Sequence, residues 1–209
     1  MKGKVFWKTV SYLFHPLFMP TLGVCFLLGA DPSLLFSVRS PYQLLMIPWT
    51  VLGATALLPL FCILSLVRAG KIGSLEEPSR HDRLLLIVFT ELGFLISFIV
   101  LHNVSGTAQS LFLFLLGINI ALMATLVLNF ITRSSLHATG AGGLLGTVIG
   151  LEYSERSDLK YWIGAALVLA FLTGYARYRL KAHKAEEIYL GYLCGLLSLA
   201  LVFMIGAGK

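Results

Sequence analysis

Apolar and polar positions along this chain fall into blocks. Apolar runs occupy about residues 10–30, 42–67, 84–101, 108–131, 133–151, 161–175 and 186–205, with short polar segments between them. A helix needs about 20 mainly apolar residues to cross a ~30 Å hydrocarbon layer. Lipid also admits only structures that satisfy their own backbone hydrogen bonds. The pattern therefore predicts an all-α integral membrane protein, a bundle of six to seven transmembrane helices forming one domain over residues 1–209. Pro16 and Pro20 interrupt the first run, so they either kink a first spanning helix or make its start re-entrant. That run is long for a signal peptide and lacks a clear small-x-small cleavage site. Pro48 and Pro59 mark kinks in the second span, and the sixth, 161–175, is short.

Seven crossings place three polar segments on one side. Segment 68–83 carries Lys71, Glu76, Glu77, Arg80, His81, Asp82 and Arg83; the other two are 133–137 and 177–184. Two spans separate each segment from the next, so the three can meet in space. Of the 16 lysines and arginines, all but Arg39, Arg156, Lys160 and Lys209 fall on that side together with the N-terminus. The positive-inside rule then turns this rim to the cytoplasm; if the Pro16/Pro20 segment does not span, the N-terminus and the site lie on opposite sides and the site is periplasmic instead.

Composition agrees with the blocks. The chain is 57% hydrophobic and 12% charged, where soluble domains are about a quarter charged. Cys25, Cys62 and Cys194 sit inside apolar runs at no metal-binding spacing and read as membrane-core residues. The net charge of +6 is ordinary for a membrane protein with basic loops and gives no reason to invoke nucleic acid.

The chemistry concentrates at residues 176–191. His183 stands between Arg177 and Glu187. If the chain is helical from Lys184, His183 and Glu187 lie one turn apart on the same face. The carboxylate can then hold one ring nitrogen and leave the other as a base or nucleophile. Arg177 offers a planar fork suited to phosphate oxygens. The competing reading is a basic membrane-flanking loop of Arg177, Arg179, Lys181 and Lys184.

Segment 133–137 carries a second set. Ser135 can cap the fifth helix, whose first N–H groups form a seat for an anion. His137 in the first turn is placed to protonate a leaving oxygen; alternatively the segment is a capped helix with an interfacial histidine. Gly142, Gly146 and Gly150 recur every four residues, as do Gly191 and Gly195. Small residues at that spacing permit close helix contact in lipid and would bring His137 near His183.

Arg177-x5-His183-x3-Glu187-x3-Gly191 resembles the third signature of the type-2 phosphatidic acid phosphatase superfamily. In that signature a serine-arginine is followed by a histidine and an aspartate at the same intervals. Ser134-Ser135-Leu136-His137 resembles the second, proline-serine-glycine-histidine. The resemblance covers about residues 71–195, within a core of about 68–205. The chain departs from it at Ala176, Glu187, Ser134 and Leu136, where the family has serine, aspartate, proline and glycine. The first signature, with a lysine ahead of an arginine-proline pair, is not present as such; Lys71, Arg80 and Arg83 are the candidates for its role.

The resemblance implies a metal-independent, cofactor-free lipid phosphatase in a bacterial inner membrane. His183 would attack phosphorus, Glu187 would orient it, and His137 would serve as general acid. Arg177, Ser135, Arg80, Arg83 and Lys71 would bind the phosphoryl oxygens. The partner is a membrane lipid phosphate: phosphatidic acid, phosphatidylglycerol phosphate or a polyprenyl phosphate or diphosphate. The alternatives are a lipid phosphotransferase and a catalytically inactive lipid-binding or transport protein. Glu91, inside the third span, is either functional or a bond to a neighbouring helix. His15, His81 and His102 read as interfacial.

Overall fold

The structure is a computed structural model that describes residues 2–38, 40–73, 79–105, 108–155 and 158–206. Glu76 and Glu77 lie outside the described residues. Ten α-helices are described: α1 (Lys2–Leu13), α2 (Met19–Ala30), α3 (Pro32–Ser37), α4 (Pro41–Leu52), α5 (Leu58–Arg68), α6 (Arg80–Ser105), α7 (Gln109–Leu128), α8 (Leu136–Glu155), α9 (Lys160–Arg179) and α10 (Ala185–Gly206). A π-helical turn, Gly53–Leu57, joins α4 to α5. Among the described residues four helical stretches are long and apolar enough to cross a membrane: Pro41–Arg68, Arg80–Asn103, Gln109–Leu128 and Ala185–Gly206. The chain is thus an all-α membrane protein.

The first apolar run is not one kinked helix. Proline has no N–H to donate and pushes the residue before it out of the helical region. The helix accordingly stops at Leu13, and Phe14–Phe18 forms a turn before α2 begins. α1 lies against α9, with Trp7 packed edge-on to Tyr175 at 4.9 Å between ring centroids. The turn is anchored by the Thr55 hydroxyl, which donates to the Leu17 carbonyl at 3.2 Å. α2 has 12 residues, a length of about 18 Å at 1.5 Å per residue. At its end Asp31 caps α3 through the Ser33 N–H at 2.8 Å and also accepts from the Ser110 hydroxyl near the start of α7.

Pro59 perturbs the α4–α5 stretch as its chemistry requires: it cannot donate, and the helix widens into the π turn just before it. α6 packs there through Gly93, where an added Cβ would lie 2.8 Å from the Pro59 ring. The apolar core contains Phe114, Leu111, Leu115, Val148, Leu199 and Phe203, all almost fully buried.

α8 and α10 form the most extensive helix pair in the structure. Their glycines let backbone meet backbone. An added Cβ on Gly191 would stand 2.6 Å from the Ser135 carbonyl, and one on Gly195 the same distance from the Gly143 nitrogen. Gly142 and Gly146 meet the Tyr192 and Leu196 carbonyls in the same way. The pair is pinned at one end by the Ser135 N–H donating to the Glu187 carbonyl at 3.0 Å.

α9 runs further than its apolar stretch, so Arg177 sits on its last helical turn, not in a loop. A Schellman motif closes it: the Ala182 N–H bonds the Arg177 carbonyl at 3.1 Å, and the Lys181 N–H bonds that of Tyr178 at 3.0 Å. Lys181 takes the left-handed position, φ 55°, where glycine is usual.

Two substitutions separate the close helix contact from helix propensity. Gly195→Ala should lower stability by about 1–3 kcal/mol through overpacking. Gly164→Ala, in α9 with open space around it, should be neutral or stabilising by up to about 1 kcal/mol. Unfolding in detergent, followed by tryptophan fluorescence, measures both.

Candidate active site

The ends of α5, α7 and α9 and the starts of α6, α8 and α10 share one rim of the bundle. A cavity of about 1030 Å³ opens there and is lined by His15, Arg83, Arg133, His137, Arg177 and His183 among others. It continues along α6 as far as Phe94, eleven residues beyond Arg83, or about 16 Å along the helix. Ile87, Phe114, Ile118 and Leu122 line that inner part. The cavity is therefore cationic at its rim and apolar within.

His183 follows the Schellman turn and precedes α10. Its Nδ1 lies 2.9 Å from Glu187 Oε2. A carboxylate oxygen accepts, so Nδ1 carries the proton and Nε2 keeps its lone pair. Burial lowers the His183 pKa below its ordinary value, the bond to Glu187 opposes this, and the charge of Arg177 adds to it. The ring is accordingly neutral near pH 7. Glu187 Oε2 also accepts from the Lys184 N–H at 3.1 Å. Glu187 is the third residue of α10, and a glutamate there reaches back to the cap residue's N–H as in a capping box. The same cap that starts α10 thus fixes the carboxylate against His183.

His137 is the second residue of α8 and is 9% exposed. Ser135 caps this helix, its hydroxyl accepting from the Ala138 N–H at 3.4 Å. His137 Nε2 lies 3.1 Å from the Ser11 carbonyl oxygen and 3.3 Å from the Ser11 hydroxyl. Arg177 Nη1 donates to that same hydroxyl at 2.9 Å. Arg177 Nε and the Ser134 hydroxyl are buried with no hydrogen-bond partner among the described residues. Leaving such a group unsatisfied costs about 1–3 kcal/mol, and more for a charged one.

The remaining candidates divide. Arg83 lines the cavity and donates to the Asn129 side chain. It sits one turn into α6, whose start is capped by Ser79 and Asp82 in reciprocal bonds of 3.1 and 3.3 Å. Arg80 does not line the cavity; its guanidinium donates to the Phe130 carbonyl and ties α6 to the end of α7. Lys71 is exposed beyond α5 and also stands outside the lining. Ser135 is fully buried, with its hydroxyl engaged in the cap and its N–H on Glu187, so of these two serines Ser134 is the one that lines the cavity. Arg133 lines it too.

His15 lies in the turn after α1 and belongs to the site. Its ring packs edge-on to His137 at 5.2 Å between centroids and lines the cavity. Burial, and then the charge of Arg177, lowers its pKa to about 4, so it is neutral. Lys4, Lys8, Ser11 and His15 all line the cavity and recur at helical spacing, so one face of α1 and the turn after it points at the site. That stripe was readable in the sequence. His81 is exposed, and His102 stacks on Phe98 at 5.9 Å, far along α6 from the rim. Glu91 Oε2 is buried without a described partner and is not among the cavity-lining residues. No cluster of three or more metal-ligating side chains occurs among the described residues.

In comparisons with known proteins, no family model matches the chain, and neither a curated protein nor a solved structure does.

Proposed function

We propose that this protein is a membrane lipid phosphatase working through a phosphohistidine. One observation carries the reading. Two imidazoles, each with one nitrogen held by an acceptor, share a cavity with Arg177, and two buried polar atoms there, Arg177 Nε and the Ser134 hydroxyl, have no described partner. A phosphoryl group supplies the oxygens that such atoms need.

In the first step the lone pair of His183 Nε2 forms an N–P bond. The P–O bond to the lipid breaks, its electron pair goes to that oxygen, and the oxygen takes a proton from the imidazolium of His137 and leaves as an alcohol or phosphate. In the second step water attacks phosphorus, His137 takes a proton from it, and the N–P bond breaks to return His183 and release orthophosphate. Glu187 holds His183 in the tautomer that presents Nε2. Arg177, Arg83, Arg133 and Ser134 stabilise charge on the phosphoryl oxygens. The apolar inner cavity receives the lipid chain.

In this reading α4–α5, α6, α7, α8, α9 and α10 are six full spans, and α2 is a seventh, shortened one that starts at the site rim and ends at Asp31 beside α7. α8 and α9 have 20 residues each, about 30 Å. The rim with the site faces the cytoplasm of a bacterial cell, as the lysines and arginines around it favour.

Phosphate release from phosphatidic acid, phosphatidylglycerol phosphate and a polyprenyl diphosphate tests the reading. His183→Ala should abolish release, and His137→Ala should lower it roughly 10²–10⁴-fold. Equal release by all three proteins would reject it, and lipid binding without turnover would favour a non-catalytic binding protein. The rate of phosphoenzyme formation should fall on the acid side only below pH 6.5, the ordinary histidine value, because the His183 pKa is lowered. Glu187→Gln removes the carboxylate that favours the protonated ring. It should therefore move that limb to still lower pH while reducing the rate. A cysteine at Ala182, which is exposed beside His183, should resist an impermeant thiol reagent in intact cells; ready labelling would place the site outside.

A further inference from the structure

The α1 helix brings one polar side chain into direct contact with both His137 and Arg177. Ser11 is 5% exposed, on the last turn of α1. Its hydroxyl accepts from Arg177 Nη1 at 2.9 Å and lies 3.3 Å from His137 Nε2, while its carbonyl oxygen lies 3.1 Å from the same nitrogen. A carbonyl oxygen accepts and never donates, so His137 Nε2 carries a proton and is the held nitrogen of this ring. That is the nitrogen beside the hydroxyl bound to Arg177. The contact is held from both sides. Trp7 packs on Tyr175 of α9, half a turn before Arg177, and the Thr55 hydroxyl fixes the Leu17 carbonyl in the turn that follows α1.

We propose that Ser11 is the positioning residue for the general acid of the reaction. Its carbonyl and hydroxyl hold the ring by Nε2 beside Arg177, so that Nδ1 of the protonated ring is the nitrogen left to give a proton to the leaving oxygen. This rests on the phosphatase reading above. The role parallels that of Glu187, which holds the other imidazole by Nδ1. In each histidine the held nitrogen leaves the other one to react, as a lone pair for phosphorus in His183 and as the acid proton for the leaving oxygen in His137.

The dependence on leaving group tests this. A lipid alkoxide needs a proton as the P–O bond breaks, whereas p-nitrophenolate leaves with little help. The rate of phosphoenzyme formation is measured by rapid quench with dioctanoyl phosphatidic acid in mixed micelles and with p-nitrophenyl phosphate. Ser11→Ala should slow the lipid reaction about tenfold and the p-nitrophenyl reaction less than twofold. Ser11→Thr, which keeps the hydroxyl, should recover most of the lipid rate. Parallel losses on both substrates would mean that Ser11 only supports the fold, and unchanged or faster lipid turnover would mean that it does not position the acid; either result overturns the proposal. His137→Ala is the control. If it shows the leaving-group dependence and Ser11→Ala does not, this inference fails and the phosphatase reading stands. If wild type forms no phosphoenzyme and releases no phosphate, both fail.

Discussion

Backbone contact between α8 and α10 is the constraint on which the site depends. Without side chains at Gly142, Gly146, Gly191 and Gly195, the two helices approach until carbonyls of one meet glycines of the other. Close backbone packing at these glycines, together with polar contacts, sets the pairing. The Ser135 N–H to Glu187 carbonyl bond fixes the register at the rim. His137 is two residues after Ser135, and His183 is four before Glu187. The separation of the two rings is therefore a property of the helix pair and not of the loops that carry them.

Local chemistry then aims each group. Glu187 caps α10 and holds His183 with the same oxygen, at 3.1 and 2.9 Å. Relative to aspartate, glutamate has the extra methylene that a reach from the third helical residue back to the cap uses. The Schellman turn after α9 bonds the Arg177 carbonyl to the Ala182 N–H, so His183 directly follows a hydrogen-bonded turn that begins at the arginine. Lys181 in the left-handed region costs about 1–2 kcal/mol relative to ordinary backbone. Such strain persists only where its surroundings over-determine it.

Electrostatics follows from the same packing. Burial holds His15 and His183 below their usual pKa, and Arg177 reinforces this for both. The rim thus combines fixed guanidinium charge with neutral imidazoles.

Helical blocks, the membrane class and the pairing of His183 with Glu187 were determined by local sequence. Each rests on spacing within one run or one turn, which the helix repeat converts directly into geometry. The glycine spacing likewise encoded the α8–α10 contact. Tertiary structure alone decided the rest. Pro16 announces a break, but only packing against α9 sends Ser11 and His15 into the cavity. Arg80, Arg83 and Arg133 have the same charge and similar surroundings in sequence, yet α7 draws Arg80 to the Phe130 carbonyl while the other two line the cavity. Ser134 and Ser135 are adjacent, and the helix cap takes one hydroxyl and leaves the other facing the site. Spacing fixes which side chains share a helical turn, but which of them face a cavity depends on the neighbouring helices, and no short stretch of sequence contains those.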